Sequence, residues 1–185
     1  MFGNRATAEE LISSKVNYAA VGSSLRSKLA ENPPKGFSGW SIKHQLGAGE
    51  NRFSLTIKLL EAYYQYTANG YAVETLDDQL TIILTKRMFG IFPLRLAVRR
   101  VVDIDSPEDF GYALGTLPGH LLESEMAFIV YQRGDEVWLR LRGFGRVARG
   151  WPLLFWPVMK LVSFRMRRSM LRAIASGTSA DLDAL

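Results

Sequence analysis

GYALGTLPGH, residues Gly111 to His120, carries the chain from a strand into a turn. Its second half combines flexible backbone at Gly115 and Gly119, a fixed φ at Pro118 and a titratable ring at His120, more than an ordinary connection needs. On either side lie runs that read as strands: Tyr71 to Val73, Leu80 to Thr85, Leu94 to Val102, Glu125 to Tyr131 and Val137 to Phe144. The breaks between them carry turn chemistry. Thr75 to Asp78 is polar, Gly90 and Pro93 flank an apolar turn, Asp105 to Glu108 holds Ser106-Pro107, and Gln132 to Asp135 holds Gly134. Consecutive strands joined by short turns imply an antiparallel sheet rather than βαβ units.

Further out the periodicity changes. Thr7 and Glu10 have capping-box spacing, predicting a short helix from about Ala8. Ala30 to Gly36, with Pro33 and Pro34, reads as a connector. Trp40, Ile42, His44 and Leu46 share one face of a strand, which places His44 in an apolar phase and reads as a core or rim histidine. Asn51 offers an N-cap, and Phe53, Ile57, Leu60 and Tyr64 recur at helical spacing until Asn69 and Gly70 stop them. From Trp151 to Ile174 a second long helix is expected, its apolar stripe formed by Leu154, Met159, Val162, Met166, Met170 and Ile174. A twisted sheet followed by such a helix has one evident packing: the sheet curls and the helix closes its concave side. We expect a single domain over 1–185, with an N-terminal extension at 1–16 and a flexible tail at 176–185.

Composition narrows the chemistry. At 185 residues and 48% hydrophobic, the chain can bury one substantial core. It has no cysteine, which removes disulfides, thiolate nucleophiles and cysteine-ligated metals. Two histidines far apart give no metal spacing, so neither a metal nor a cofactor is expected. Gly143-Phe144-Gly145-Arg146-Val147-Ala148 fits G-x-G-x-x-A, but no later strand completes a nucleotide-binding unit. There is no phosphate-binding G-x-x-x-x-G-K loop and no G-x-S-x-G elbow. Glu9 and Glu10 sit where a secretory signal would be apolar, so a cytoplasmic location is expected. The net charge of +5 concentrates at Arg140, Arg142, Arg146 and Arg149 and at Arg165, Arg167, Arg168 and Arg172. Both groups read as solvated faces, and no nucleic-acid partner is expected.

Asn17-Tyr18 followed by Gly22, Leu46-Gly47-x-Gly49, the run from Gly111 to His120, Glu125, Ala127-Phe128, Val137-Trp138 and Phe144-x-Arg146 together resemble a family of bacterial and plant proteins, the domain-of-unknown-function family numbered nineteen-ninety. The resemblance spans nearly everything from Asn17 to Ile174. It implies an α+β fold of START-like, helix-grip type, a curved antiparallel sheet around a long C-terminal helix that often encloses an apolar ligand. The chain departs from the family pattern at Leu114 (usually Tyr), at Ser124-Glu125-Met126 (usually Gly-Glu-Glu) and at Gly145-Arg146-Val147 (usually Ser-Arg-Pro).

His120, Glu125 and Arg146 are expected at one end of the sheet, where a carboxylate could orient the imidazole and an arginine could hold an anionic group. The competing structural reading is a Glu125–Arg146 bridge pinning a hairpin, with His120 bonded to a loop carbonyl. The leading function is binding of a small apolar or amphipathic molecule between sheet and C-terminal helix, with Tyr112, Thr116, His120, Glu125, Arg146, Met159 and Met166 as its contacts. Two alternatives stay open. One is an enzyme using His120 as acid or base with Glu125 orienting it; the other is peripheral membrane or partner contact through Trp151 to Phe164 and the arginines that follow.

Overall fold

In a computed structural model, which describes residues 2–3, 5–88, 92–150, 154 and 156–180, seven antiparallel strands form one curved sheet. The strands are β2 (Ser38–Ala48), β3 (Ala72–Thr75), β4 (Thr81–Met88), β5 (Phe92–Asp105), β6 (Asp109–Thr116), β7 (Leu122–Arg133) and β8 (Glu136–Val147), in the order β2-β8-β7-β6-β5-β4-β3. A short β1 (Phe2–Gly3) adds in parallel to β5. The meander from β3 to β8 follows from its turns. Gly134 has a φ of 60° between β7 and β8, and Gly119 a φ of 86° between β6 and β7, values that side chains rarely adopt. Pro93 lies inside β5, paired with Arg87, and Gly90 lies outside the described residues.

The helices are α1 (Ala8–Ser13), α2 (Glu50–Glu61), α3 (Tyr64–Thr67) and α4 (Trp156–Ala180). The capping box at Thr7 and Glu10 forms as the spacing predicts. The next helix differs in two ways. Its N-cap is Gly49, not Asn51: a φ of 95° swings the chain out of β2 while the Gly49 N–H bonds to Asp135. It also breaks at Tyr63, whose φ of 52° is left-handed, so Tyr64 belongs to a separate turn. At the C-terminus α4 extends through 176–180, where a tail is expected, and 181–185 lie outside the described residues. Packing overrides weak local propensity there. Thr178 is fully buried, and a Cβ on Gly177 would sit 2.8 Å from the Tyr64 ring.

Alternation sorts the strand side chains onto two faces. Tyr112, Leu114, Phe128, Val130, Val137, Leu139 and Leu141 join Phe53 and Leu60 of α2 and Met170 and Ile174 of α4 in the main core, on the concave face. The convex face is buried as well. Residues 5–37, much of which reads as extension and connector in the sequence, clad it: Leu11 packs with Ile83, Ala97 and Leu117, while Tyr18 and Leu29 pack with Phe144. Arg99 clasps the end of α1 by donating to the carbonyls of Leu11 and Ile12 at 2.7 and 2.8 Å.

The expected stripe divides. Met170 and Ile174 are core and Met166 packs against it, but Leu154, which precedes α4, and Val158, Leu161, Val162 and Phe164 on it are 46–80% exposed; residues 151–153 and 155 lie outside the described residues. Ile174→Ala should therefore cost about 2–5 kcal/mol in urea unfolding, as a large-to-small change in a close-packed core. Leu161→Ser should stay within about 0.5 kcal/mol, as expected of a surface position.

Candidate functional site

His120, Glu125 and Arg146 come from neighbouring elements but do not form one group. Glu125 and Phe144 are register partners on the convex side, where Glu125 is fully buried. Its carboxylate accepts from the Tyr18 hydroxyl at 2.7 Å and from the backbone N–H groups of Gly22 and Ser24, both at 2.8 Å. Three donors replace the water that burial removes. Burial and the adjacent Glu125 charge push the Tyr18 phenol pKa up, so it stays protonated and donates. Gly115 makes room for this contact, since a Cβ there would lie 2.2 Å from the Tyr18 oxygen. Arg146 bonds instead to Glu123, Nε to Oε2 at 2.7 Å, and stacks over Phe37. The Glu125–Arg146 bridge is thus replaced by Glu123–Arg146, because residue 123, not 125, stands opposite 146 in the register.

His120 partners neither of them. Its Nδ1 accepts the Leu122 N–H at 2.9 Å within the turn, so the proton of the neutral ring sits on Nε2. The residue is partly buried in the turn, and burial lowers its pKa to about 4 against the opposing effect of the Leu122 backbone. An imidazole held neutral and tied to its own turn is a structural element of that turn. Thr116 is similarly engaged, donating to Asn17 at 2.6 Å and accepting the Ser124 N–H at 2.9 Å. His44 is exposed on β2 rather than part of a core.

The other expected contacts lie on the concave side. Tyr112 is fully buried and bonded: its hydroxyl donates to the Leu60 carbonyl at 2.8 Å and accepts from Gln65 at 2.7 Å. It closes the middle of the grip rather than lining a space. Toward the N-terminal half of α4 the floor is less complete. Trp40, Gly143, Met126, Leu114 and Arg100 are successive register partners across β2, β8, β7, β6 and β5. Trp40 and Met126 are only partly buried. Gly143 lets the indole cross the strand, since a Cβ would meet the Trp40 ring at 2.9 Å. Thus Gly143 and Gly145 serve sheet packing inside β8, not a nucleotide turn. Met159 and Met166 are partly buried on α4, and Arg167 stacks 4.5 Å from the centre of the Trp40 ring.

Arg167 is the residue that sequence reading missed. Burial pushes its guanidinium pKa down, and among the described residues no carboxylate pairs with it. In the sequence it stands within a cluster of arginines, and only the packing of α4 onto β2 distinguishes it. Trp40 was legible as an inward strand residue, but not its partner. Together they form a partly buried cation–aromatic pair where α4 meets β2. No group of described histidine or acidic residues could hold a metal ion, and no described helix is long and apolar enough to cross a membrane.

Residues 17–173 match the family described as Domain of unknown function (DUF1990). A UPF0548 protein of Arabidopsis thaliana is 27% identical over 180 residues, covering 89% of this chain and 86% of its own length. Among solved structures, a START superfamily protein from Mycobacterium smegmatis superposes with a TM-score of 0.51 at 13% identity, over 78% of this chain and 97% of that one. Norcoclaurine synthase from Thalictrum flavum, in complex with dopamine and hydroxybenzaldehyde, gives a TM-score of 0.51 at 13% identity, over 76% and 86%. The helix-grip, START-like fold is thereby shared at the level of architecture.

Two outcomes are expected of this geometry. Glu125→Ala leaves a phenol and two backbone N–H groups buried without their acceptor, and should cost about 2–5 kcal/mol, with faster hydrogen exchange at Gly22 and Ser24. His120 takes up a proton near 6.5 when unfolded but near 4 when folded. Between those values the unfolded chain binds more protons, so this contribution to stability is complete above pH 6.5 and is lost as pH falls toward 4. NMR titration should place the imidazole midpoint near the lower value, and His120→Gln should flatten that part of the stability profile.

Proposed function

The chain belongs to the DUF1990 family, and on the geometry of its own concave face we propose that it binds a small amphipathic molecule, apolar in body and anionic at one end. The carrying observation is Arg167: a partly buried guanidinium stacked on Trp40, without a carboxylate partner among the described residues, on the face where Met126 and Met166 pack against the core. The body of the molecule would lie against Trp40, Leu114 and Met126 under Met159 and Met166, where flexible methionines adapt to its shape. Its acidic group would meet Arg167, in a charge-assisted bond strengthened by the low local dielectric. This keeps the ligand against the concave face and moves its polar end from the β6–β7 turn to the helix. The shared architecture of norcoclaurine synthase, whose solved structure is in complex with dopamine and hydroxybenzaldehyde, is consistent with a helix-grip protein accommodating a small organic molecule; the anionic end is argued from Arg167 alone.

A second reading has its own observation. Val158, Leu161, Val162 and Phe164 on α4, with Leu154 ahead of it, leave apolar surface near Arg165, Arg168 and Arg172, the composition of an interfacial helix. The stripe that fills the core and the one left outside are different residues, so lipid contact would not require α4 to leave the sheet.

The test is native purification, denaturing extraction and mass spectrometry, followed by titration of a medium-chain fatty acid into the emptied protein. Saturable binding that falls about ten-fold or more in Arg167→Gln, and is blocked by Met126→Trp, is expected. Binding unaffected by both substitutions would refute the site. Sedimentation of the protein with anionic but not neutral vesicles, lost in Leu161→Asp, would favour the membrane reading instead.

A further inference from the structure

The convex face carries a second feature that the concave site does not explain. A hollow of about 320 Å³ opens there beside the Ser23–Leu25 turn, over an apolar floor of Ile104 and Ile129. Its rim is cationic. Arg133, Arg140 and Arg142 line it, against the single carboxylate of Asp109, and that carboxylate is already bonded to Arg133 at 2.9 Å.

Arg140 and Arg142 therefore remain uncompensated. They are two residues apart on β8, so alternation puts both on one face, and neither has a carboxylate within ion-pair reach among the described residues. Arg140 donates to the Tyr131 hydroxyl at 3.1 Å and lies 4.8 Å from the centre of that ring, which Arg133 also overlies at 5.3 Å. Arg142 donates to the Leu25 carbonyl at 2.7 Å, but its Nε is buried with no hydrogen-bond partner at all. That buried, unused N–H adds to the cost of holding this guanidinium at the hollow, whose outward-facing cationic rim is left to Arg140 and Arg142 together. Burial and the charge of Arg140 together lower the Arg142 pKa, the signature of two cations brought close without an anion between them.

We propose that this hollow is a binding site for a small anion carrying an apolar group, a phosphate monoester or an aromatic carboxylate. The charged end meets Arg140 and Arg142 and the apolar body covers Ile104, Ile129 and the Tyr131 ring. The site is separate from the concave one, since the sheet lies between them, and stands whether or not that reading holds.

Phenyl phosphate and inorganic phosphate titrated into the full-length protein at low ionic strength, with the arginine Nε–Hε signals followed by NMR, test this. Saturable shifts at Arg140 and Arg142 are expected, with phenyl phosphate binding at least several-fold tighter than phosphate because only it covers the floor. Arg140→Gln should weaken binding about ten-fold or more, whereas Arg140→Lys should retain part of it. The Arg140 guanidinium bonds to Tyr131 and the Leu25 carbonyl is held by Arg142, so replacing Arg140 leaves that clasp in place, and unchanged hydrogen exchange at Leu25 and Arg26 checks this. No saturable shift at either arginine, equal affinity in Arg140→Gln, or loss of binding in Arg167→Gln with Arg140→Gln unaffected would overturn the site.

Discussion

The burial of Glu125 in the middle of a sheet constrains the rest of the molecule. A carboxylate there is tolerable only if donors reach it, and the donors come from residues about a hundred positions earlier: the Tyr18 hydroxyl and the N–H groups of Gly22 and Ser24. Those contacts fix the N-terminal segment against the convex face, which in turn buries Leu29 and Phe144 and positions Leu25 for Arg142. The motif residues Tyr18, Gly22, Gly115 and Glu125, scattered along the chain, meet at this one point. Their shared chemistry is that of a clasp.

With the convex face clad, the sheet is buried on both sides, and the two faces divide the work. The centre of the concave face is closed by Tyr112, whose hydroxyl satisfies the Leu60 carbonyl where α2 nears its end. Space for a ligand is therefore to be sought toward the N-terminal half of α4, where glycine at 143 and methionines at 126, 159 and 166 replace large rigid side chains. Arg167 supplies the only charge that α4 stacks on the Trp40 ring among the described residues. Its cost of desolvation is offset in part by that stacking.

The strands, their antiparallel order and the long closing helix were legible, because alternation, helical periodicity and turn residues are local properties of the chain. The capping box at Thr7 and Glu10 formed for the same reason. Legibility ended where a local preference met a distant partner. Asn51 is a good N-cap, but Gly49 can adopt the φ that leaves β2 and reaches Asp135. Ser176 to Thr178 looked frayed until α2 and α3 packed on them. Glu125, Arg146 and His120 come from neighbouring elements. Pairing them required the register, and the register sets Arg146 against Glu123 while Glu125 turns to Tyr18.

By itself, then, the sequence determined that a cysteine-free chain would fold as an antiparallel sheet gripped by a C-terminal helix, since backbone periodicity and turn chemistry act over a few residues. Only the tertiary structure decided which polar groups meet. Burial creates the demand for a partner, and whether Glu125 finds Tyr18, or Arg167 and Arg142 find no carboxylate among the described residues, depends on contacts between residues far apart in the chain that no local pattern encodes.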